Sequence, residues 1–364
     1  MLTQITSSQN FKANFSNKKL NFEAFIGAVK QLAALTKAQI SLKDSLDNIS
    51  ENTEDALVKE LFKKASEGID SGLNLSDVFA EYEVYVGVLA VAMVKLGEQT
   101  GALGEALEGL AEIYSDIEAN RQKMKKAMRY PLITLGAMGI AFTILIVYVV
   151  PKFKEIFEKL HTELPLPTKI LLGLEYAFRN YGPLLIAIIV LLFVIHKFAY
   201  KTQEKYRYKF DVFTLKVYLI GDIVQYASTS RFLLVLTELM RSGIPLVDAL
   251  KIAAGILENM VLRDKIENII RNINQGISFT ESLKEADLLD NVTLQMISAG
   301  EDSGDLDSML GNASDYYKTK FNYIVDNIGA AIEPIMMAFI GGLVLLLALG
   351  IFMPMWNMAS AAKH

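Results

Sequence analysis

Cysteine is absent from this 364-residue chain, which excludes disulfide bonds, thiolate metal ligands and a cysteine nucleophile. Histidine is scarce, with three widely separated copies at His161, His196 and His364. The sequence also has no G-x-x-x-x-G-K-[ST] phosphate loop, no H-E-x-x-H metal motif and no G-x-S-x-G nucleophile motif. We therefore predict a protein that has no catalytic activity and no cofactor.

Charge is nearly missing from three stretches of the chain. The uncharged runs 131–150 and 334–353 are each about 20 residues long, enough for a membrane-spanning helix of about 30 Å. The stretch 181–200 is a weaker candidate because His196 and Lys197 fall within it and would have to reach back to the membrane surface. Three membrane spans are therefore predicted.

The remaining composition suits a membrane protein that also carries polar domains. Hydrophobic residues make up 52% of the chain, yet 21% of it is charged, as a few spans joined to soluble domains would produce. Residues 1–19 lack the apolar core and cleavage site of a signal peptide, so we predict no cleaved leader.

Basic residues cluster beside two of the apolar runs and predict the orientation of the chain in the membrane. Five precede the first run (Arg121, Lys123, Lys125, Lys126 and Arg129), and six follow the uncharged part of the second, which ends near Ile195 (Lys197, Lys201, Lys205, Arg207, Lys209 and Lys216). Because positive residues favour the cytoplasmic side, we expect the N-terminus and 200–332 in the cytoplasm, with the 152–182 loop and the C-terminal tail outside. The basic belts can also contact anionic membrane lipid.

A sequence pattern, G-E-x-x-G-x-L, occurs twice at a spacing of 203 residues. Its matched residues are Gly97, Glu98, Gly101 and Leu103 in the first copy and Gly300, Glu301, Gly304 and Leu306 in the second. Tyr114 and Pro131 match Tyr317 and Pro334 at the same spacing, and the apolar pattern further upstream matches at a spacing of 204. We therefore predict a duplicated module.

The sequence of each module predicts an all-α fold, because apolar residues recur at helical spacing between candidate helix caps such as Ser41 and Asp55. In the first module we expect Asn74 or Ser76 to open the fourth helix, 84–96 to form the fifth, and the sixth to run on into the membrane. In the second module the predicted helices are 226–242, 246–255, 259–274, 279–285, 289–299 and 304 onward. The predicted fold is an all-α membrane protein with two homologous six-helix cytoplasmic bundles and three transmembrane helices.

The predicted domain boundaries follow from these patterns. They are an N-terminal lead-in 1–19, a first cytoplasmic repeat 20–129, a first span 130–151, a periplasmic loop 152–180, a second span 181–200, a basic linker with the second cytoplasmic repeat 201–332, a third span 333–354 and a periplasmic tail 355–364.

Both modules are acidic. Residues 20–119 carry 7 basic and 18 acidic side chains, a net charge of −11, and residues 217–332 carry 9 and 16, a net charge of −7. This balance argues against nucleic acid as a partner, because nucleic acids bind basic surfaces. It permits a basic protein partner. A solvated acidic surface without any partner would have the same charge balance.

The repeated signature falls between the predicted fifth and sixth helices. Its glycines allow a tight turn with positive φ, and we expect Glu98 and Glu301 to stabilise the positive N-terminus of the sixth helix. Thr100 or Ser303 can cap the same helix. The alternative is that the two carboxylates dock a partner or meet a metal ion. The second copy has the denser acidic cluster, which comprises Glu301, Asp302, Asp305 and Asp307, but its spacing is not that of an EF-hand.

Together these features resemble the type II secretion F protein family, the polytopic inner-membrane platforms of type IV pilus and type II secretion machines. The resemblance covers nearly the whole chain and includes both signature copies and the membrane-entry pairs Tyr130-Pro131 and Glu333-Pro334. It also includes an outer loop with Pro151, Phe153, Phe157, Leu164, Pro165, Leu166, Pro167 and Thr168, and Pro354 near the end.

The resemblance implies a scaffold in the bacterial inner membrane that transmits the movement of a cytoplasmic assembly ATPase to pilin or pseudopilin subunits. It also implies other inner-membrane assembly proteins as partners, and a homo-oligomer. Glu333 is then either a helix-start residue at headgroup level or a contact for the charged N-terminal region of a pilin. The rival reading is a membrane transporter with duplicated cytoplasmic domains, which would need more spans and polar residues within them.

Overall fold

The computed structural model describes residues 20–152 and 166–361, and the regular elements in these two ranges are all helices. The all-α class predicted from the sequence is therefore confirmed. The predicted lead-in 1–19 and the loop residues Leu164 and Pro165 lie outside the described residues.

The first module contains six main helices and one additional helical turn. They are α1 Phe22–Lys37, α2 Leu42–Asn52, α3 Ala56–Asp70, α4 Leu75–Glu81, α5 Glu83–Val86, α6 Val88–Thr100 and α7 Leu103–Ile144. The single fifth helix predicted for 84–96 is wrong, because Gly87 adopts a φ of 86° and separates α5 from α6. Helix α7 continues through a π-helical turn, Leu145–Val149, as far as Lys152.

The described residues 166–361 contain two connecting helices and the second module. The connecting helices are α8 Leu166–Thr202 and α9 Glu204–Lys216, and the module consists of α10 Ile220–Arg241, α11 Leu246–Gly255, α12 Met260–Asn274, α13 Phe279–Glu285, α14 Asn291–Ser303 and α15 Leu306–Ala361. The six predicted helices of this module are confirmed. The fifth helices, α6 and α14, extend to Thr100 and Ser303, so each signature glutamate lies inside a helix rather than in a turn.

Local capping follows the sequence at several helix starts. The Ser41 side chain accepts a hydrogen bond from the Asp44 backbone N–H at 3.1 Å, and the Asp55 carboxylate accepts from the Leu57 and Val58 N–H groups at 3.0 Å. Each interaction satisfies a backbone donor that the first turn of a helix leaves unpaired. Asn74 occupies the N-cap position of α4, as predicted, although its side chain makes no capping hydrogen bond.

The chain divides into two compact units. The first contains both modules, within 20–122 and 214–321, and the second contains 123–213 and 322–361 of the described residues. In the first unit, α6 of one module packs against α11 of the other, and one continuous apolar core draws side chains from both. The predicted boundaries that separate the two cytoplasmic repeats stay a prediction.

Among the described residues, three helices are long and apolar enough to cross a membrane: α7 with its extension to Lys152, α8 and α15. Their most apolar windows have mean hydropathies of 2.4, 2.3 and 2.0, and at most 11% of each window is buried within the protein. The sequence predicted the second span to be the weakest, but the third has the lower mean hydropathy. The apolar run 184–195 raises the mean hydropathy of the second span more than His196 and Lys197 lower it.

The outer connection contains more helix than the sequence suggested. Pro151 lies at the end of the helix that extends α7, and Leu166, Pro167 and Thr168 form the first turn of α8. The sequence placed Pro151, Leu166, Pro167 and Thr168 in an outer loop, and their helical conformation differs from that prediction. Proline is compatible with the first turn of a helix, where its missing N–H has no acceptor to lose.

Candidate functional site

The four glycines of the repeated signature have two different roles. Gly101 and Gly304 follow the ends of α6 and α14 with φ values of 71° and 76°, which confirms the predicted left-handed turn. Gly97 and Gly300 are instead buried within these helices. A Cβ atom at Gly97 would lie 2.7 Å from the Leu103 Cα, so this glycine allows the fifth and sixth helices to approach closely.

The same close approach recurs in the second module. A Cβ atom at Gly300 would lie 2.8 Å from the Met309 Cγ and 3.1 Å from the Asp305 backbone oxygen. The signature leucines, Leu103 and Leu306, begin the sixth helices and are half-buried against the apolar core. The glycines and leucines of the signature therefore form the corner between two packed helices.

The two signature glutamates cap a helix other than the predicted one. The Glu98 carboxylate accepts hydrogen bonds from the backbone N–H groups of Leu75 and Ser76, at 2.5 and 3.3 Å. These N–H groups belong to the first turn of α4, so the expectation that Glu98 stabilises the sixth helix was wrong. The glutamate lies on α6, and the packing of α4 against α6 brings it to the start of α4.

Glu301 makes the equivalent contact in the second module. Its two carboxylate oxygens accept from the Phe279 and Thr280 N–H groups, at 2.9 and 2.8 Å, at the start of α13. The Ser278 side chain caps the same helix through the Glu281 N–H at 3.2 Å. Helices α4 and α13 have only seven residues each, and such short helices depend on tertiary contacts of this kind.

The electrostatics of Glu301 agree with this role. Partial burial opposes its ionisation, but the hydrogen bonds from Thr280 and Phe279 outweigh that effect and lower the pKa of the carboxyl below its usual value. The carboxylate is therefore held in its charged form next to the positive end of α13. The Thr100 and Ser303 hydroxyls donate hydrogen bonds to the carbonyl groups of Leu96 and Ala299 in their own helices, at 2.9 and 2.7 Å. The Thr100 hydroxyl also accepts from the Ala102 N–H, directly before the sixth helix, at 3.4 Å.

The acidic cluster at the second signature does not come together as a metal site. Within 20–152 and 166–361, no group of three or more carboxylate or histidine side chains is arranged to hold a metal ion. Glu301 already binds the start of α13, whereas Asp302 and Asp305 are exposed.

The matched tyrosines tie the sixth helix of each module to the segment before the fifth. The Tyr114 hydroxyl donates to the Val86 carbonyl oxygen at 2.6 Å, and the Tyr317 hydroxyl accepts from the Asp290 N–H at 2.9 Å. In both modules the signature glutamate and this tyrosine thus fix the connections on either side of the fourth helix.

The membrane-entry residues lie within continuous helices. Pro131 is buried within α7, while the neighbouring Tyr130 has 68% of its surface exposed. Glu333 and Pro334 are both exposed on α15. The proposed contact of these membrane-entry residues with pilin stays a prediction.

Sequence reasoning missed a seam of ion pairs between the two sixth helices. Lys318 on α15 binds the Asp116 carboxylate on α7, and Lys123 lies 2.9 Å from the Asp326 carboxylate. Lys123 and Asp326 are 203 residues apart and so occupy the same position in the repeat. Equivalent residues meet where two copies face each other around a pseudo-twofold axis. The opposite charges at these matched positions could have predicted the pair from the sequence.

The second module also contains a network that the first lacks. The Lys320 ammonium lies 2.7 Å from the Asp290 carboxylate and within 4.5 to 5.6 Å of the ring centres of Tyr226, Tyr316 and Tyr317. Burial opposes the ionisation of Asp290, but hydrogen bonds from Lys320, Thr293 and Tyr316 lower its pKa to about 2. The position that matches Lys320 in the first module is Ile117, so this polar anchor distinguishes the two modules.

Comparison with known proteins supports the duplication. The profile of the family described as type II secretion system (T2SS), protein F, matches residues 28–151 and 232–354, segments that begin 204 residues apart and end 203 residues apart. These are the two spacings found within the sequence itself.

Individual relatives match along most of the chain. The type II secretion system protein F of Aeromonas hydrophila is 31% identical over 329 residues, covering 89% of this chain and 84% of that protein. The type IV pilus assembly protein PilC of Pseudomonas aeruginosa is 28% identical over 331 residues, covering 91% and 88%. PilC of Thermus thermophilus is 29% identical over 330 residues, covering 90% and 80%. With both modules matched in the register of the repeat, the chain belongs to the type II secretion system protein F family.

Proposed function

We propose that this chain is an inner-membrane platform protein of a type IV pilus or type II secretion machine. In this role it couples a cytoplasmic assembly ATPase to the insertion or extraction of pilin or pseudopilin subunits, as a scaffold without catalytic activity. The observation that carries the proposal is the match of both modules to one family, in which relatives named for pilus assembly and for type II secretion align along about nine-tenths of the chain.

The course of the sixth helices supports a mechanical role. Helix α7 begins at the signature of the first module and contains the first membrane-spanning stretch. Helix α15 begins at the signature of the second module and contains the third. A continuous helix moves as one body, so a displacement at its start is carried along its length. The Lys123–Asp326 pair joins these two helices. We therefore infer that a push on either module reaches the membrane through α7 and α15.

The two modules are proposed to divide the work. The first has the larger negative charge, −11 over 20–119 against −7 over 217–332, so we propose that it meets the ATPase through a basic face of that enzyme. The second is proposed to contribute to self-association, to pilin handling and to contacts with other inner-membrane assembly proteins. Its Lys320 anchor, absent from the first module, fits a separate task.

Charge-neutralised variants of the full-length protein test this proposal. Asp77→Asn with Glu81→Gln changes exposed carboxylates of the first module, and Glu281→Gln with Glu285→Gln changes their matched positions 204 residues later. The full chain is used because the two modules share one core. Binding of the parent protein to its cognate assembly ATPase is expected to weaken as salt rises. At a fixed salt concentration the first variant is expected to weaken this binding more than the second.

Two outcomes would contradict parts of the proposal. Equal weakening by the two variants would refute the division of labour. No ATPase binding by the parent protein, together with normal pili and secretion after deletion of its gene, would refute the platform function itself. Solute uptake by reconstituted protein would instead favour a transporter.

The proposed orientation places both modules in the cytoplasm and the C-terminal tail in the periplasm. Because the chain has no cysteine, single probes can be introduced by Ser71→Cys and Gln275→Cys, at matched exposed positions, and by Thr162→Cys in the outer connection. In intact cells a membrane-impermeant thiol reagent is expected to label only the Thr162→Cys variant. Labelling of Gln275→Cys to the same extent would show that α8 does not cross the membrane.

A further inference from the structure

Four exposed lysines surround the junction of α8 and α9: Lys197, Lys201, Lys205 and Lys209. Lys197 and Lys201 are four residues apart on α8, and Lys205 and Lys209 are four residues apart on α9, so each pair shares a helix face. Like charges at this spacing repel each other. Throughout 20–152 and 166–361, none of these four lysines pairs with a carboxylate.

Lysines elsewhere in the chain show the contrast. In the modules, Lys37 lies 2.6 Å from the Glu108 carboxylate, and Lys251 lies 2.9 Å from that of Asp248. The junction therefore places four lysines without an ion pair within 13 residues of the described chain. Such an arrangement favours an anionic group from outside the chain.

The acidic residues of the junction do not neutralise this charge at the surface. Residues 197–213 contain two carboxylates, Glu204 and Asp211, against five basic side chains. Asp211 is only 3% exposed and accepts a hydrogen bond from the Tyr200 hydroxyl at 2.8 Å. Its charge is directed inward, so the outer face of the junction is strongly positive.

Aromatic side chains fold α9 back against the end of α8. The rings of Tyr206 and Phe210 lie 5.8 and 4.6 Å from the ring of His196, centre to centre, and the Tyr206 hydroxyl lies within hydrogen-bond distance of His196 Nδ1, at 2.8 Å. On the same helix, Phe213 is 64% exposed and Tyr208 is 40% exposed. Helix α9 thus presents open aromatic rings beside its lysines.

We propose that this junction, formed by Lys197, Lys201, Lys205, Lys209 and Phe213, binds anionic phospholipid headgroups at the membrane surface. The lysines contact the phosphate groups, while Phe213 enters the boundary between headgroups and acyl chains. Lysine beside aromatic residues is the composition of segments that lie in this boundary. The lipids thereby hold α9 against the bilayer at the point where the chain leaves the second span.

Position in the chain favours lipid over an acidic protein as the occupant. Lys197 and Lys201 are on the same helix as the aliphatic run 184–195, only two to six residues beyond its end. A side chain so near the end of a membrane span lies at headgroup level. The proposal depends on α8 spanning the membrane and is independent of the platform function, so either can fail alone.

Fluorescence quenching in vesicles tests the proposal. Phe213→Trp is introduced together with Trp356→Phe, which removes the single native tryptophan, and the full-length protein is reconstituted into phosphatidylcholine vesicles. Phosphatidylglycerol or phosphatidylcholine with brominated acyl chains is then added at equal fractions. We expect the introduced tryptophan to associate with brominated phosphatidylglycerol in strong preference to brominated phosphatidylcholine, and this preference to fall as salt rises.

Matched lysine variants complete the experiment. Lys205→Gln with Lys209→Gln is expected to reduce the preference for phosphatidylglycerol by about thirtyfold. Lys59→Gln with Lys63→Gln, which removes the same charge at the same spacing from an exposed face of α3, is expected to leave it unchanged. If the Lys205/Lys209 variant does not reconstitute, the salt series on the Phe213→Trp/Trp356→Phe protein decides the question.

Equal quenching by the two lipids at low salt would overturn the proposal. So would a preference that both double variants reduce alike, because that would reflect overall charge. The absence of quenching by either lipid would place α9 away from the bilayer, and would leave an acidic protein segment as the ligand of these lysines.

Discussion

Replacing Gly97 with alanine is expected to lower the free energy of unfolding by about 2–3 kcal/mol. The added Cβ would lie 2.7 Å from the Leu103 Cα and 2.9 Å from the Ala106 Cβ. Leu103 Cα belongs to the backbone and cannot rotate away, so α6 and α7 would have to separate at the corner that they form. Thermal unfolding of the purified full-length protein in detergent measures the effect as a lower transition temperature.

Gly27→Ala is the matched control for this substitution. Gly27 lies within α1, and no atom falls within 4 Å of its added Cβ. Alanine is the better helix former, so this variant is expected to gain about 0.5–1 kcal/mol. A Gly97→Ala protein as stable as the Gly27→Ala protein would contradict this explanation. It would show that the close packing of the fifth and sixth helices does not require glycine at position 97.

Glu301→Ala is expected to destabilise the protein by about 1–2 kcal/mol, because it leaves the Phe279 and Thr280 N–H groups without their acceptor at the start of a seven-residue helix. The low pKa of Glu301 makes this contribution dependent on pH. It is fully present above the pKa that the carboxyl has in the unfolded chain, and it is lost as the pH falls through the lower pKa of the folded protein. The stability difference between parent and variant should therefore narrow in acid.

Asp302→Ala is the control for Glu301→Ala, because Asp302 is exposed on the same helix. It is expected to leave stability within about 0.5 kcal/mol of the parent. Glu98→Ala should lower the free energy of unfolding by a similar amount at neutral pH, because Glu98 accepts from the Leu75 and Ser76 N–H groups. A Glu301→Ala protein with the stability of the parent but without pilus or secretion output would contradict the capping role, and would indicate that the carboxylate docks a partner.

The ion-pair seam shows what duplication within one chain permits. If two identical copies met around a twofold axis, Lys123 would face another lysine, and like charges in contact repel. With the copies covalently joined, the matched position is Asp326, and the repulsion becomes an attraction. The same freedom explains how Lys320 and its tyrosines could arise in the second module opposite an isoleucine in the first.

The amino-acid sequence by itself determined the features that depend on neighbouring residues. The periodicity of apolar residues predicts the helices, Ser41 and Asp55 mark helix starts, and Gly101 and Gly304 mark the turns after the fifth helices, because caps and turns are made within about four residues. The duplication and the family resemblance were also evident from the sequence, since they depend on order and spacing alone.

Only the tertiary structure decided which groups meet across the fold. Glu98 and Glu301 are closer in sequence to the sixth helices than to the fourth, yet each caps a helix start 21 to 23 residues away, because helix packing sets that distance. The pairing of Lys123 with Asp326 has the same origin. Local rules assign a charged side chain to the nearest helix end, whereas the folded chain assigns it to whichever unpaired backbone groups the packing of the helices brings within reach.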